Sequence, residues 1–203
     1  MRKAIVLFLV FAIIPFLGQS QTLDHLDYVS PFHNGYAAIK KDGQWAFINS
    51  NGDIAINFRT DLVVTKFNDK SYPVFNEDRC IIKQIKNGIS YFGYVDTNGK
   101  TVIKPQFLNA TNFNNGKAIA LELIKENVAK NKALEKNIVY YKYFEVVIDI
   151  NGDIKEYINP SGVNMVLDKD YLKQPPKITS RLLTKNLVAK KNKKGKWILI
   201  KLK

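Results

Sequence analysis

Seven of the eleven glycines in this 203-residue chain follow Asn or Asp: Gly35, Gly43, Gly52, Gly88, Gly99, Gly116 and Gly152. An Asn-Gly or Asp-Gly pair between hydrophobic runs is the strongest short-range hairpin signal, because both residues tolerate the positive φ of a type I′ turn. The runs between these pairs are short and rich in β-branched and aromatic residues, as in Tyr36–Lys40, Trp45–Asn49, Ser90–Asp96 and Phe144–Ile148, and they lack internal proline. They are too short for helices. The chain reads as all-β, built of antiparallel hairpins.

Alignment on the turns exposes a repeat. Phe32–Lys40 matches Phe75–Lys83, and Phe113–Leu121 falls in the same frame. The second half of the unit recurs as Gly43–Asp53, Tyr91–Lys100 and Val146–Asp153, and Leu183–Ala189 with Gly195–Ile200 supplies a truncated last copy. The copies span about residues 29–59, 73–105 and 110–156, with the partial copy at 183–202. Since a lone hairpin cannot bury its apolar face, the copies must share a core. Trp45, Phe47, Phe92, Tyr94, Trp197 and Leu199 recur at period-two spacing, which makes them core candidates. Two segments interrupt the pattern. Residues 124–138 form an insert expected as a long hairpin loop with room for one or two helical turns. Residues 160–177, punctuated by Pro160, Gly162 and Pro175-Pro176, are expected to wrap irregularly around the array.

The spacing Phe-x-x-Gly, followed by small and apolar residues and then by Gly-Tyr-Val-Asp-Thr-Asn-Gly-Lys-Thr-Val-Ile-Lys-Pro at residues 93–105, resembles the WG (KWG) repeat of bacterial proteins. The Trp-Gly pair itself is nowhere intact: Ala46 follows Trp45, Phe92 precedes Gly93, Glu145 holds the Trp slot and Ile198 follows Trp197. The resemblance implies an exported or surface-associated β-repeat scaffold in a curved or solenoid-like array, and it carries over no catalytic residue.

Export is also legible directly. Arg2-Lys3 precedes an uncharged apolar run from Ala4 to Leu17, and Gly18 and Ser20 supply the small residues of a signal-peptidase site. The run is shorter than the ~20 residues needed to cross a bilayer. Residues 1–20 therefore read as a cleaved signal peptide and 21–203 as one domain, extracytoplasmic in the periplasm, at the surface or in the medium, with no transmembrane span in the mature chain.

The search for chemistry is short. The only two His and the single Cys leave no disulfide and no cysteine-rich zinc site. His33 shares its slot with Asn76 and Asn114, and Cys80 shares its slot with Ala37 and Ala118, so each reads as a turn or core position. The turns Asn49–Asp53, Asp96–Lys100 and Asp149–Asp153 alternate oxygen-bearing side chains, yet calcium needs six to eight oxygens and these turns lack further acids. Asp168 and Asp170 define no pocket. No catalytic, cofactor or metal residue is assigned, no cofactor is expected, and an enzyme is not.

Charge is the remaining lead. The chain carries 31 Lys and Arg against 18 Asp and Glu, a net +13. Eight Lys and no acid lie between Lys185 and Lys203. Nucleic acid is excluded as a partner by the export signal. Lys190, Lys191, Lys193, Lys194 and Lys196 thus form a candidate contact for an anionic ligand, and the partner class is an unknown protein or an anionic envelope polymer. The expected function is a non-catalytic binding scaffold. A polysaccharide-binding module would instead line Tyr36, Tyr91, Tyr141 and Tyr143 in solvent, and an envelope hydrolase would need a polar cleft around His33 or Asp168.

Overall fold

The computed structural model describes residues 23–67, 69–131, 136–192 and 194–202; the signal-peptide segment 1–20 lies outside them. The described residues contain strands and turns and no helix. Four antiparallel meanders follow one another along the chain. The first is β2 (Tyr36–Lys41), β3 (Gln44–Asn49) and β4 (Ile54–Arg59), with the short β1 (Tyr28–Val29) on its edge. A hairpin of β5 (Thr65–Phe67) and β6 (Lys70–Tyr72) leads to the second, β7 (Cys80–Lys86), β8 (Ile89–Val95) and β9 (Thr101–Phe107). The third is β10 (Lys117–Asn131), β11 (Lys136–Asp149) and β12 (Ile154–Tyr157), with β13 (Val163–Met165) also paired to β11. The fourth is β14 (Ser180–Thr184), β15 (Leu187–Lys191) and β16 (Trp197–Lys201). The sheets form no closed barrel.

The Asn-Gly pairs make two kinds of turn. At Asn34-Gly35, Asp42-Gly43, Asn87-Gly88 and Asn115-Gly116 both residues have positive φ, as the type I′ reading requires. Glu77-Asp78 adopts the same conformation, at φ 51° and 58°, without a glycine. At Gly52, Gly99 and Gly152 only the glycine is left-handed. There the loop is one residue longer, and the first residue's side chain closes it. Asn49 Oδ1 accepts from the N–H groups of Asn51 and Asp53 at 2.9 and 3.0 Å, and Asp96, Asp149 and Asn192 accept in the same way. The oxygens considered above as calcium ligands are thus aimed at their own backbone.

The strands of the second and third meanders alternate their side chains between two neighbours. Cys80, Ile82 and Val95 pack back against Ala38, Phe47 and Ile56 of the first meander. Ile81, Phe92, Tyr94 and Ile103 pack forward against Ala118, Ala120, Val146 and Ile148 of the third. Ile119 and Val147 in turn face Val188 and Leu202 of the fourth. The core is therefore a row of interfaces between successive meanders, the arrangement expected of a repeat array. Identical contacts recur along it. Ile56 lies against Gly99 and Ile103 against Gly152, each placing a third-strand isoleucine on the next meander's turn. A bulge also recurs: Phe47 faces Ile56 while Ile48 faces Ile54, and the same shift separates Tyr94 from Val95 and Val147 from Ile148. The fourth meander lacks it, since Lys190 faces Ile198 and Lys191 faces Trp197 in plain register.

Two expectations need correction. Residues 124–131 and 136–138 of the insert are strand rather than loop, and residues 132–135 lie outside the described residues. The insert prolongs the hairpin, with Ile124 opposite Lys142 and pairing that runs out to Asn131 opposite Lys136 across one shift in register. Its sequence lacks a helical stripe, and the ladder already begun at Lys117 and Asp149 satisfies its backbone at no extra nucleation cost. Second, Trp197 and Leu199 do not share slots with Trp45 and Phe47. Gly195 closes the same kind of loop as Gly152, which puts Trp197 on the third strand, five residues after Asn192, where the other meanders have Ile54, Thr101 and Ile154. Phe47, Phe92 and Tyr94 are core; Trp197 and Leu199 are 48% and 65% exposed.

Candidate functional site

The fourth meander exposes Trp197 and Leu199 on the sheet face turned away from the third. Antiparallel partners share a face, so the register puts Arg181, Ala189 and Leu199 in one row, Lys191 and Trp197 in the next, and Leu187 and Lys201 in the row beyond. The opposite face carries Leu182, Val188 and Ile200 into the core. On the outer face the Arg181 guanidinium carbon sits 4.7 Å and the Lys191 Nζ 5.3 Å from the centre of the Trp197 ring. Such cation–π contacts hold both cations over the indole while leaving their charge outward. From Tyr171 to Lys203 the sequence carries eleven Lys and Arg and no Asp or Glu.

The structure separates the five candidate lysines. Lys191 lies on the outer face beside Trp197, and Lys194 and Lys196 are exposed in the adjoining turn. Lys190 points the other way, half-buried, and donates to the Ile158 carbonyl at 3.3 Å. Lys193 lies outside the described residues. Arg181, which completes the clasp on Trp197, escaped the sequence reading. Its signal was available only through the pairing of β14 with β15, which puts Arg181 opposite Ala189 beside Leu199.

Other polar groups have structural occupations. The ring Nε2 of His33 lies 3.1 Å from Asn76 Oδ1 and ties the first turn of one meander to that of the next. Glu77 continues the series by accepting from the Gly116 N–H at 2.7 Å. Cys80 is fully buried, and burial pushes its thiol up to about 12, the field of Arg59 lowering it only in part. Asp168 accepts from the Asp170 N–H at 2.7 Å and closes its own turn. Tyr36 is half-buried against Phe75, and Tyr91 and Tyr143 are packed on the cluster around Ile89, Leu108 and Leu121. Tyr141 is half-buried as well.

An open cleft of about 240 Å³ lies between β4 and the turn at Gly99. Its charged group, Arg59, is already engaged by Asp61 through both Nε and Nη2 and donates to the Gly99 carbonyl at 2.9 Å. Glu145 is the one buried charge among the described residues. Its Oε1 accepts from the N–H and hydroxyl of Thr179 at 2.6 and 2.7 Å, and Oε2 accepts from the Ser180 hydroxyl. That carboxylate staples the fourth meander to the third. No group of three or more His, Cys, Asp or Glu able to hold a metal is found among the described residues, and no described helix is long and apolar enough to cross a membrane.

Successive antiparallel meanders, the first three joined by recurring contacts, define an all-β repeat protein. Residues 25–45 and 92–122 match the family model described as a WG containing repeat, so these stretches are similar to that repeat. The first match lies within the first meander, and the second starts at Phe92 in β8, crosses β9 and ends in β10. Neither the curated proteins nor the solved structures contain a match to the chain.

Proposed function

We propose that the chain is an exported, non-catalytic binding scaffold of the cell envelope or exterior, which engages an anionic partner through its last meander. The observation that carries this reading is the outer face of β14–β16, where Arg181 and Lys191 clasp an exposed Trp197 in a stretch of sequence without acids. The charged and apolar leader at residues 2–17 supports export. The array supports a scaffold role, since a repeat core persists while one face diverges.

The test is equilibrium binding to anionic and neutral envelope polysaccharides, protein extracts and anionic vesicles at low and high salt. Binding to anionic ligands weakens steeply with salt, because exposed charges are screened within about 8 Å at physiological ionic strength. The triple variant Lys191→Glu, Lys194→Glu, Lys196→Glu loses that binding while its melting temperature stays within a few degrees. Salt-insensitive binding to a neutral glycan, unaffected by the triple variant, would replace this reading with the aromatic polysaccharide module.

A further inference from the structure

We infer that the outer face of β14–β16 seats on an anionic lipid surface, an inference that rests on the binding reading above and names its partner. In the first two meanders the third-strand residue seven positions after the closing Asn or Asp is covered by the following copy: Ile56 meets Gly99, and Ile103 meets Gly152. Leu199 stands seven positions after Asn192, opposite Ala189. It is 65% exposed, beside Trp197 at 48%. Trp197 and Leu199 thus stand as an exposed apolar pair on this face, ringed by Arg181, Lys191 and Lys201.

Three kinds of occupant can be weighed against that chemistry. A second copy meeting this face with its own brings cation against cation. On the far face of the first meander Ala37, Ile39 and Ala46 are buried. A hydrated polyanion satisfies the lysines and leaves Leu199 in water. A bilayer rich in anionic headgroups satisfies both: indole rings settle at headgroup depth, and Lys and Arg around them meet the negative surface potential. The exposed Lys194 and Lys196 of the adjoining turn spread the positive charge, which matches a continuous anionic surface better than a few fixed carboxylates.

The test uses protein purified from cells that process its leader, with vesicles of phosphatidylcholine alone and with added phosphatidylglycerol. In a Trp45→Phe background Trp197 is the sole indole. Its emission is expected to shift to the blue, and to be quenched by brominated acyl chains, with phosphatidylglycerol vesicles and not with neutral ones. Leu199→Thr, which keeps strand propensity, is expected to lower partitioning about fivefold or more while leaving binding to dextran sulfate unchanged, since only the buried apolar contact is lost. Lys191→Gln is expected to lower both by about fivefold, the effect of one surface charge. Vesicle binding without a Trp197 shift and indifferent to Leu199→Thr would overturn the lipid seat. So would binding confined to dextran sulfate or an acidic protein, which leaves the proposed scaffold standing. Absence of binding to every anionic probe would remove both.

Discussion

At the scale of single residues, the glycine after the Trp slot is explained by the strand that crosses it. In the second meander Phe92 faces Phe107 while Tyr94 faces Ile103, so β9 bulges over Gly93. A Cβ there would lie 2.3 Å from the Ile103 carbonyl oxygen and 2.6 Å from the Pro105 nitrogen, both backbone atoms that cannot swing away. In the first meander the bulge is smaller and the slot holds Ala46; in the third, Val146 pairs directly with Tyr157. Gly93→Ala is expected to cost about 1–3 kcal/mol of unfolding free energy in urea titration, the usual penalty for overpacking. A near-neutral Gly93→Ala would sink this account. The turn acids make a second case. Burial pushes the Asp149 carboxyl up, but the Lys155 hydrogen bond and the N–H groups of Asp153 and Asn151 outweigh it and hold the group below its ordinary value. A depressed carboxylate stabilises the fold above the unfolded value near ~4 and loses that contribution as pH falls through the folded value. Asp149→Asn keeps the acceptor used by Asn49 and Asn192, so it is expected to flatten the acid limb of the stability profile with little loss at neutral pH. Asp149→Ala strands two N–H groups and is expected to cost about 1–2 kcal/mol. Equal stability of the two variants at pH 7 would contradict the capping role.

At the scale of elements, what distinguishes the meanders is how each meets the next. The first three share the bulge and the isoleucine-on-turn or turn-on-turn contacts; the fourth is held by the Glu145 staple and the Ile119, Val147, Val188 and Leu202 cluster. Glu145→Ala leaves the Thr179 N–H and two hydroxyls without an acceptor, an expected loss of about 2–3 kcal/mol. Its location makes a sharper forecast: amide exchange accelerates in β14–β16 and leaves β2–β4 protected, because repeat arrays lose structure interface by interface. Uniform acceleration across all four meanders would refute a local staple. The long β10–β11 hairpin shows the opposite case, an element prolonged well past the core. Glu126 opposite Tyr140 still carries an ion pair to Lys142 at 2.9 Å, so the ladder and its flanking charges carry it outward from the sheet.

For the whole molecule, charge and order along the chain run together. The last meander and the segment leading to it hold eleven of the 31 basic residues and none of the 18 acids, while the acids gather in the earlier copies. In the proposed lipid seat this cationic meander is the one that meets the anionic surface. The proposed export is tested on the whole chain: mass spectrometry of the protein made in bacteria is expected to find Gln21 at its N-terminus, and a retained Met1 would remove the exported reading.

The sequence by itself determined the class of fold, the turns and the frame of the repeat, because Asn-Gly chemistry and period-two burial are local and survive without knowledge of neighbours. It also marked the cationic end, since charge is counted along the chain. Tertiary structure decided what pairing alone can decide. The insert became strand because an existing ladder could be extended. Trp197 moved from core slot to surface because the last meander lacks the bulge and closes its Gly195 loop after the second strand. Arg181 and Lys191 met over its ring only once β14, β15 and β16 lay side by side. Register sets which residues share a face, and register depends on strands far apart in sequence.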